Sequence, residues 1–202
     1  MKKLIVAAVA LLVSISSFAQ FGIVAGLTSS SSSVKEAYLN YKNINQFHAG
    51  ITYKLGVGNV LAIQPSLIYN MKGADFEEVV AGKSIDLQYK TGYIELPVQL
   101  QVGAGIGSLV RIYGIAEPFV GYAVSNKIEI AGSVSDTWDN VKSKFEYGIG
   151  LGLGVEVFRH LQVSARYFWN IGDVYGVTLQ SLQKTIAETK CNGITASVAF
   201  LF

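Results

Sequence analysis

From Phe21 onward, apolar residues alternate with small or polar ones at period two, and a helical repeat is nowhere sustained. The plainest case is Phe145–Val157, where every odd position is apolar and every even one is Gly or Glu. Residues 161–171 repeat the rule: Leu161, Val163, Ala165, Tyr167, Trp169 and Ile171 share one face, against Gln162, Ser164, Arg166, Phe168 and Asn170. Residues 47–57 do the same, and residues 21–28, 61–72, 93–102, 110–125 and 193–202 complete eight predicted strands. The connections alternate in length. Residues 58–60, 103–108 and 158–160 are short, whereas 29–46, 73–90, 126–144 and 172–192 read as long polar loops, with the serine run 29–33 as a mobile loop tip.

Even-numbered strands joined by alternating short turns and long loops predict an all-β fold, an eight-stranded antiparallel up-and-down transmembrane β-barrel with both termini on the short-turn side. The competing architecture is a soluble barrel, apolar inside and polar outside. The less apolar face of residues 145–157 is mainly glycine, which would leave bare backbone facing water. Turned inward, glycine suits the crowded interior of a small barrel, and closure pairs every backbone group, as hydrocarbon outside requires.

Ahead of the first strand, Met1-Lys2-Lys3, ten apolar residues from Leu4 to Val13, and Ser17-Phe18-Ala19 form the three regions of an export signal. We expect residues 1–19 to be removed and 20–202 to form the barrel domain. Ten residues of helix reach about 15 Å, half of a bilayer core, so this segment is too short to serve as an anchor. Half the chain is apolar, only 15% is charged, and mean hydropathy is +0.38. No later apolar run reaches the roughly 18 residues of a membrane helix. Of 16 basic residues, Lys2 and Lys3 leave with the signal, so the barrel carries as many bases as its 14 acids and offers no basic field to nucleic acid. The single cysteine, Cys191, excludes an intrachain disulfide.

Strand parity assigns the chemistry. Lys54, Lys72, Arg111 and Arg166 point inward with Glu95, Glu117, Glu146 and Glu156, so we expect a lumen charge network that leaves no continuous water path. With the 158–160 hairpin centred on Arg159, Arg166 falls opposite Gly152, whose lack of a side chain makes room for the guanidinium. Phe47, Tyr69, Tyr122, Phe145, Tyr147, Tyr167 and Trp169 fall toward the long-loop end, as an interfacial aromatic girdle would. Phe21, Phe158 and Phe202 fall at the other end.

The last eleven residues, Asn192 to Phe202, end on an aromatic and look like the C-terminal signal recognised by bacterial barrel-assembly machinery, with Phe200 and Phe202 as its aromatic elements. Together with Tyr93-Ile94-Glu95-Leu96-Pro97-Val98, Arg111-Ile112-Tyr113-Gly114 and Ala165-Arg166-Tyr167, they make the chain resemble the small outer-membrane β-barrel proteins of Bacteroidetes, often called PorT-like. That resemblance implies a Gram-negative outer membrane, with lipid, lipopolysaccharide and the assembly machinery as partners. A namesake's association with type IX secretion makes an accessory secretion barrel the alternative function.

Other motifs carry little chemistry. Gly82-Lys83-Ser84 resembles the end of a phosphate-binding loop, but the position of the motif's first glycine is Glu77, whose charge repels phosphate. His48, His160 and Cys191 are scattered, so no metal site or cofactor is expected. His48 is inward and near the outer rim, the place of a catalytic histidine in a lipid A-modifying barrel. Nucleophilic catalysis would need an adjacent serine and an orienting acid. We therefore expect a monomeric, non-enzymatic outer-membrane barrel whose four extracellular loops serve surface interaction with a ligand or envelope protein, or envelope integrity.

Overall fold

The computed structural model describes residues 19–33, 40–42, 44–57, 60–80, 83–106, 109–130, 133–136, 145–172, 178–179, 184–185 and 190–202. Apart from Ala19, the predicted export segment lies outside them. Eight long strands form the wall: β1 (Ala19–Ser33), β2 (Ile44–Val57), β3 (Leu61–Val80), β4 (Lys83–Ile106), β5 (Val110–Ile130), β6 (Phe145–Val157), β7 (Leu161–Asn170) and β8 (Lys190–Leu201). Each pairs antiparallel with its neighbours in sequence, and β8 closes on β1.

Following directly opposed residues once around, from Ala19 through Leu55, Ile63, Leu100, Ala116, Leu151, Tyr167 and Ile194, returns to β1 at Ser29, ten positions along. A stagger of that size over eight strands sets them roughly 40° off the barrel axis and keeps the interior narrow enough for side chains to fill.

Period-two sequence becomes a two-faced wall. Along β7 exposed and buried residues alternate without exception, and β6 departs from strict alternation only at Gly152 and Val157. The outer face is apolar: Ile51, Leu67, Leu96, Leu100, Leu151 and Val163 are all at least 44% exposed. That would be untenable in water and is what hydrocarbon favours. Glycines of the inner face lie beneath large inward side chains. A Cβ on Gly148 would stand 2.5 Å from Phe119 Cζ, one on Gly26 would stand 2.6 Å from His48 Cε1, and one on Gly154 would overlap the Tyr113 ring.

Two loop expectations need correction. Residues 29–33 are not a loop tip: Ser29 pairs with Ile194 on one side and Asn45 on the other, and the buried Ser30 Oγ donates to the Gly73 carbonyl at 2.9 Å. Ladder partners, on both sides at Ser29 and Ser30 and on β8 as far as Ser33, override the flexibility that a serine-only composition suggests. Residues 73–80, 83–90, 126–130 and 133–136 are also not irregular. The β3–β4 ladder runs on to Val80↔Lys83, the β4–β5 ladder to Leu87↔Ile130, and short strands Asn40–Lys42 and Ser133–Asp136 pair with β3 and β5. Alternation marks a strand with one face in apolar surroundings. Above the barrel that asymmetry ends, while backbone pairing continues. The passage is marked by a bulge at Gly92/Tyr93, spanned on the outside by a 3.2 Å hydrogen bond between the Tyr69 and Ser125 hydroxyls. Gly92 lies beneath it, where a Cβ would come within 2.5 Å of Ser125 Oγ.

Candidate functional site: the barrel interior and its rims

All eight inward charges have an opposite partner. Toward the long-loop end, Lys72 Nζ reaches Glu95 at 2.6 Å and Glu146 at 2.9 Å. It also lies 4.5 Å from the Phe119 ring centre and 4.8 Å from that of Phe168. Asn70 donates to both Glu95 oxygens at 3.1 Å, and Asn170 donates to Glu146 at 2.9 Å. Toward the short-turn end, Glu156 accepts Lys54 at 2.5 Å and Gln162 at 2.8 Å, and Arg111 lies 3.6 Å away. Between these tiers Arg166 Nη1 stands 3.2 Å from Glu117 Oε2. Gly152 is opposite Arg166, and a Cβ there would be 2.7 Å from Arg166 Cγ.

Thr52, Gln64, Gln99 and Gln101, none of which the sequence reading singles out, are also buried inside the wall. They form a neutral cluster: Gln101 donates to Gln64 at 2.8 Å and Gln99 at 3.0 Å, and Gln64 donates to Thr52 at 3.0 Å. Arg111 joins it by donating to Gln101 at 3.0 Å. The signal that could have found them is a run of inward amides on adjacent strands. Among the described residues five buried polar atoms have no hydrogen-bond partner: Tyr113 Oη, Glu117 Oε2, Arg166 Nε and Nη1, and Asn170 Oδ1.

His48 does find a serine. Its Nε2 is 2.9 Å from Ser197 Oγ and its Nδ1 3.1 Å from Thr28 Oγ1. Because Thr28 donates to Asn70 Oδ1 at 3.0 Å, its oxygen accepts from Nδ1–H, leaving Nε2 to accept the serine hydroxyl. Arg166 Nη2 donates to the same Ser197 oxygen at 2.8 Å. The orienting partner is thus a threonine, not an acid, and both His48 and Ser197 are buried. Among the described residues no group of His, Cys, Asp and Glu could hold a metal ion.

On the outer wall the seven upper aromatics stand in the long-loop half. Tyr167 and Trp169 lie 4.7 Å apart, and Phe47 and Tyr69 6.3 Å apart. Phe145 and Tyr147 lie 6.5 Å apart, and Tyr122 is 51% exposed. At the opposite rim, β8 outruns β7 by one residue, Leu201. Leu201 is held there by His160, whose carbonyl accepts Leu201 N–H at 2.7 Å and whose Nδ1 lies 2.8 Å from the Leu201 carbonyl. His160 also stacks on Phe200, which packs edge-on against Phe202 at 5.4 Å. Phe202 N–H donates to the Phe21 carbonyl at 2.7 Å, completing the β8–β1 seam.

Comparison with protein families matches residues 14–176 to the model of the outer membrane protein beta-barrel domain. The chain belongs to that family. It is therefore an integral β-barrel of the outer membrane, in contact with its lipid. Membership accounts for the exposed apolar wall and the charge-paired interior together. Among solved structures, the attachment invasion locus protein Ail of Yersinia pestis shares the fold at TM-score 0.50 and 18% identity, covering 91% of this chain and 98% of its own. The outer membrane protein OprG of Pseudomonas aeruginosa (TM-score 0.48, 12% identity, 91% and 94% covered) and Neisserial surface protein A (0.47, 14%, 90% and 97%) are also similar. No curated protein sequence matches the chain.

Proposed function

We propose that this family member is a monomeric, non-enzymatic barrel that holds an ordered sheet out from the cell surface, with both termini in the periplasm and the lumen closed by its own paired charges. The observation that carries this reading is the extension of β3, β4 and β5 past the barrel as a continuous ladder flanked by two further strands. A rigid, one-sided platform suits recognition of a surface ligand or another envelope protein. The seven upper aromatics serve as the outer interfacial belt, and Phe200 and Phe202 as the assembly signal. The threonine on His48 Nδ1 and the burial of Ser197 support a structural role for that pair. In a Cys191→Ser background, Lys83→Cys should react with a membrane-impermeant maleimide on intact cells. Reaction only after the outer membrane is opened would overturn the orientation. Lipid A from a deletion strain should match its parent by mass spectrometry, and a shifted acylation pattern would reinstate an enzyme.

A further inference from the structure

The wall is not uniform. The ladders β5–β6, β6–β7, β7–β8, β8–β1 and β1–β2 run without a break, but the three between β2 and β5 each skip two residue pairs. Between β2 and β3 the gap falls at Tyr53 and Lys54 opposite Gln64 and Pro65. Between β3 and β4 it falls at Ser66 and Leu67 opposite Leu96 and Pro97, and between β4 and β5 at Val98 and Gln99 opposite Glu117 and Pro118. The chain has three prolines, and each gap holds one. They lie side by side because Pro65 faces Val98, the neighbour of Pro97, and Pro97 faces Phe119, the neighbour of Pro118.

A proline nitrogen donates nothing, so the ladder there loses a bond, and in hydrocarbon no water replaces it. One repair is visible: Thr52 Oγ1 donates from the lumen to the Pro65 carbonyl at 3.3 Å. Behind the third gap stand Glu117 Oε2 and Arg166 Nη1, buried and held to each other by an ion pair at 3.2 Å that makes no hydrogen bond, and Arg166 Nε, buried and without a hydrogen-bond partner. Beside them Gly150 has room: a Cβ there would meet nothing nearer than 3.6 Å, the closest atoms being Glu117 Cβ and the Tyr167 carbonyl. A weak line in the wall and polar atoms with hydrogen-bonding capacity left inside it therefore coincide, with charged tiers above and below.

We propose that the wall parts sideways along the proline line and admits the head of a single-chain amphiphile from the bilayer. The head is neutral and of hydroxyl or amide type, able to donate to Glu117 and accept from Arg166, whose charges already cancel. The alkyl tail stays among Leu67, Leu96 and Leu100 outside. Water offers the same chemistry to the two side chains but no tail, and the experiment separates the two.

The mature protein in lipid nanodiscs is irradiated with a dodecanol carrying a diazirine beside its hydroxyl, and labelled peptides are mapped. Labelling should fall on the inward residues Gln99 and Glu117 and drop at least fivefold in Gly150→Ser, which supplies a tethered hydroxyl without altering the ladder. It should drop similarly in Pro65→Val/Pro97→Val/Pro118→Val, whose ladder is mended; Pro97→Val alone serves if the triple variant does not fold. Amide exchange at the line should be at least tenfold faster than at the same depth of β6–β8 in the parent, and slow in the mended variant. Labelling confined to outward leucines, equal labelling by a diazirine alkane lacking the hydroxyl, or exchange no faster than in β6–β8 would each overturn the proposal. The first two of these would leave water as the occupant.

Discussion

Removing the Arg166 guanidinium leaves Glu117 buried with no cation at 3.2 Å and Ser197 without its donor at 2.8 Å. Breaking a buried pair from one side costs about 3 to 5 kcal/mol, whereas trimming a lipid-facing valine exchanges one apolar contact for another. Arg166→Ala should therefore lower the urea midpoint of the folded barrel in lipid vesicles far more than Val163→Ala does, by tryptophan fluorescence. Equal shifts would show that the pair contributes little. Gly148→Leu is expected to fail differently, by driving a side chain into the Phe119 ring, and should reduce the yield of heat-modifiable barrel on gels. Inward facing of these residues follows from parity alone. Which acid meets which base does not, because that depends on the stagger across all eight ladders, and the three short turns bear on only three of them.

At the scale of an element, the β6–β7 turn is strained where most hairpins are relaxed. Phe158 and Arg159 have φ of 52° and 63°, the left-handed conformation that Asn-Gly adopts readily and bulky residues do not. The turn nonetheless closes with a 3.2 Å bond from His160 N–H to the Val157 carbonyl and presents His160 to the end of β8. Phe158→Asn/Arg159→Gly should raise stability by about 1 to 3 kcal/mol in the same urea titration. A loss instead would mean that Phe158 contributes more as an interfacial anchor than its backbone costs. Deleting Phe202 should lower the folded protein recovered from the outer membrane, and unchanged levels would remove its role as an assembly signal. The strands were legible wherever one face met lipid. Their extensions above the rim were not, because no apolar environment imprints alternation there, and the serine run hid a strand behind a composition typical of linkers.

For the whole molecule, three tiers of paired charge cross an interior about one side chain wide, so the barrel should not conduct. Purified protein in planar bilayers is expected to show no steady current, and a stable open state of porin size would overturn the closed lumen. Buried pairs are screened little by salt. Raising sodium chloride from low to molar concentration should therefore move the thermal midpoint by only a degree or two if these pairs dominate the electrostatics.

The length of β4 sets where this protein first meets its surroundings. Its 24 residues span roughly 80 Å at 3.3 Å each, and a tilted strand uses about 9 to 11 residues to cross the hydrocarbon. In the proposed orientation the ten residues from Lys83 to Gly92, roughly 33 Å of strand at that rise, stand beyond the lipid. In that orientation the tip near Val80 and Lys83 would rise into the sugar layer anchored in the outer leaflet, while the barrel mouth stays nearer the lipid. A soluble partner too large to penetrate the sugars would encounter that tip long before the rim, and shortening the hairpin by a few residue pairs would hide it without altering the barrel.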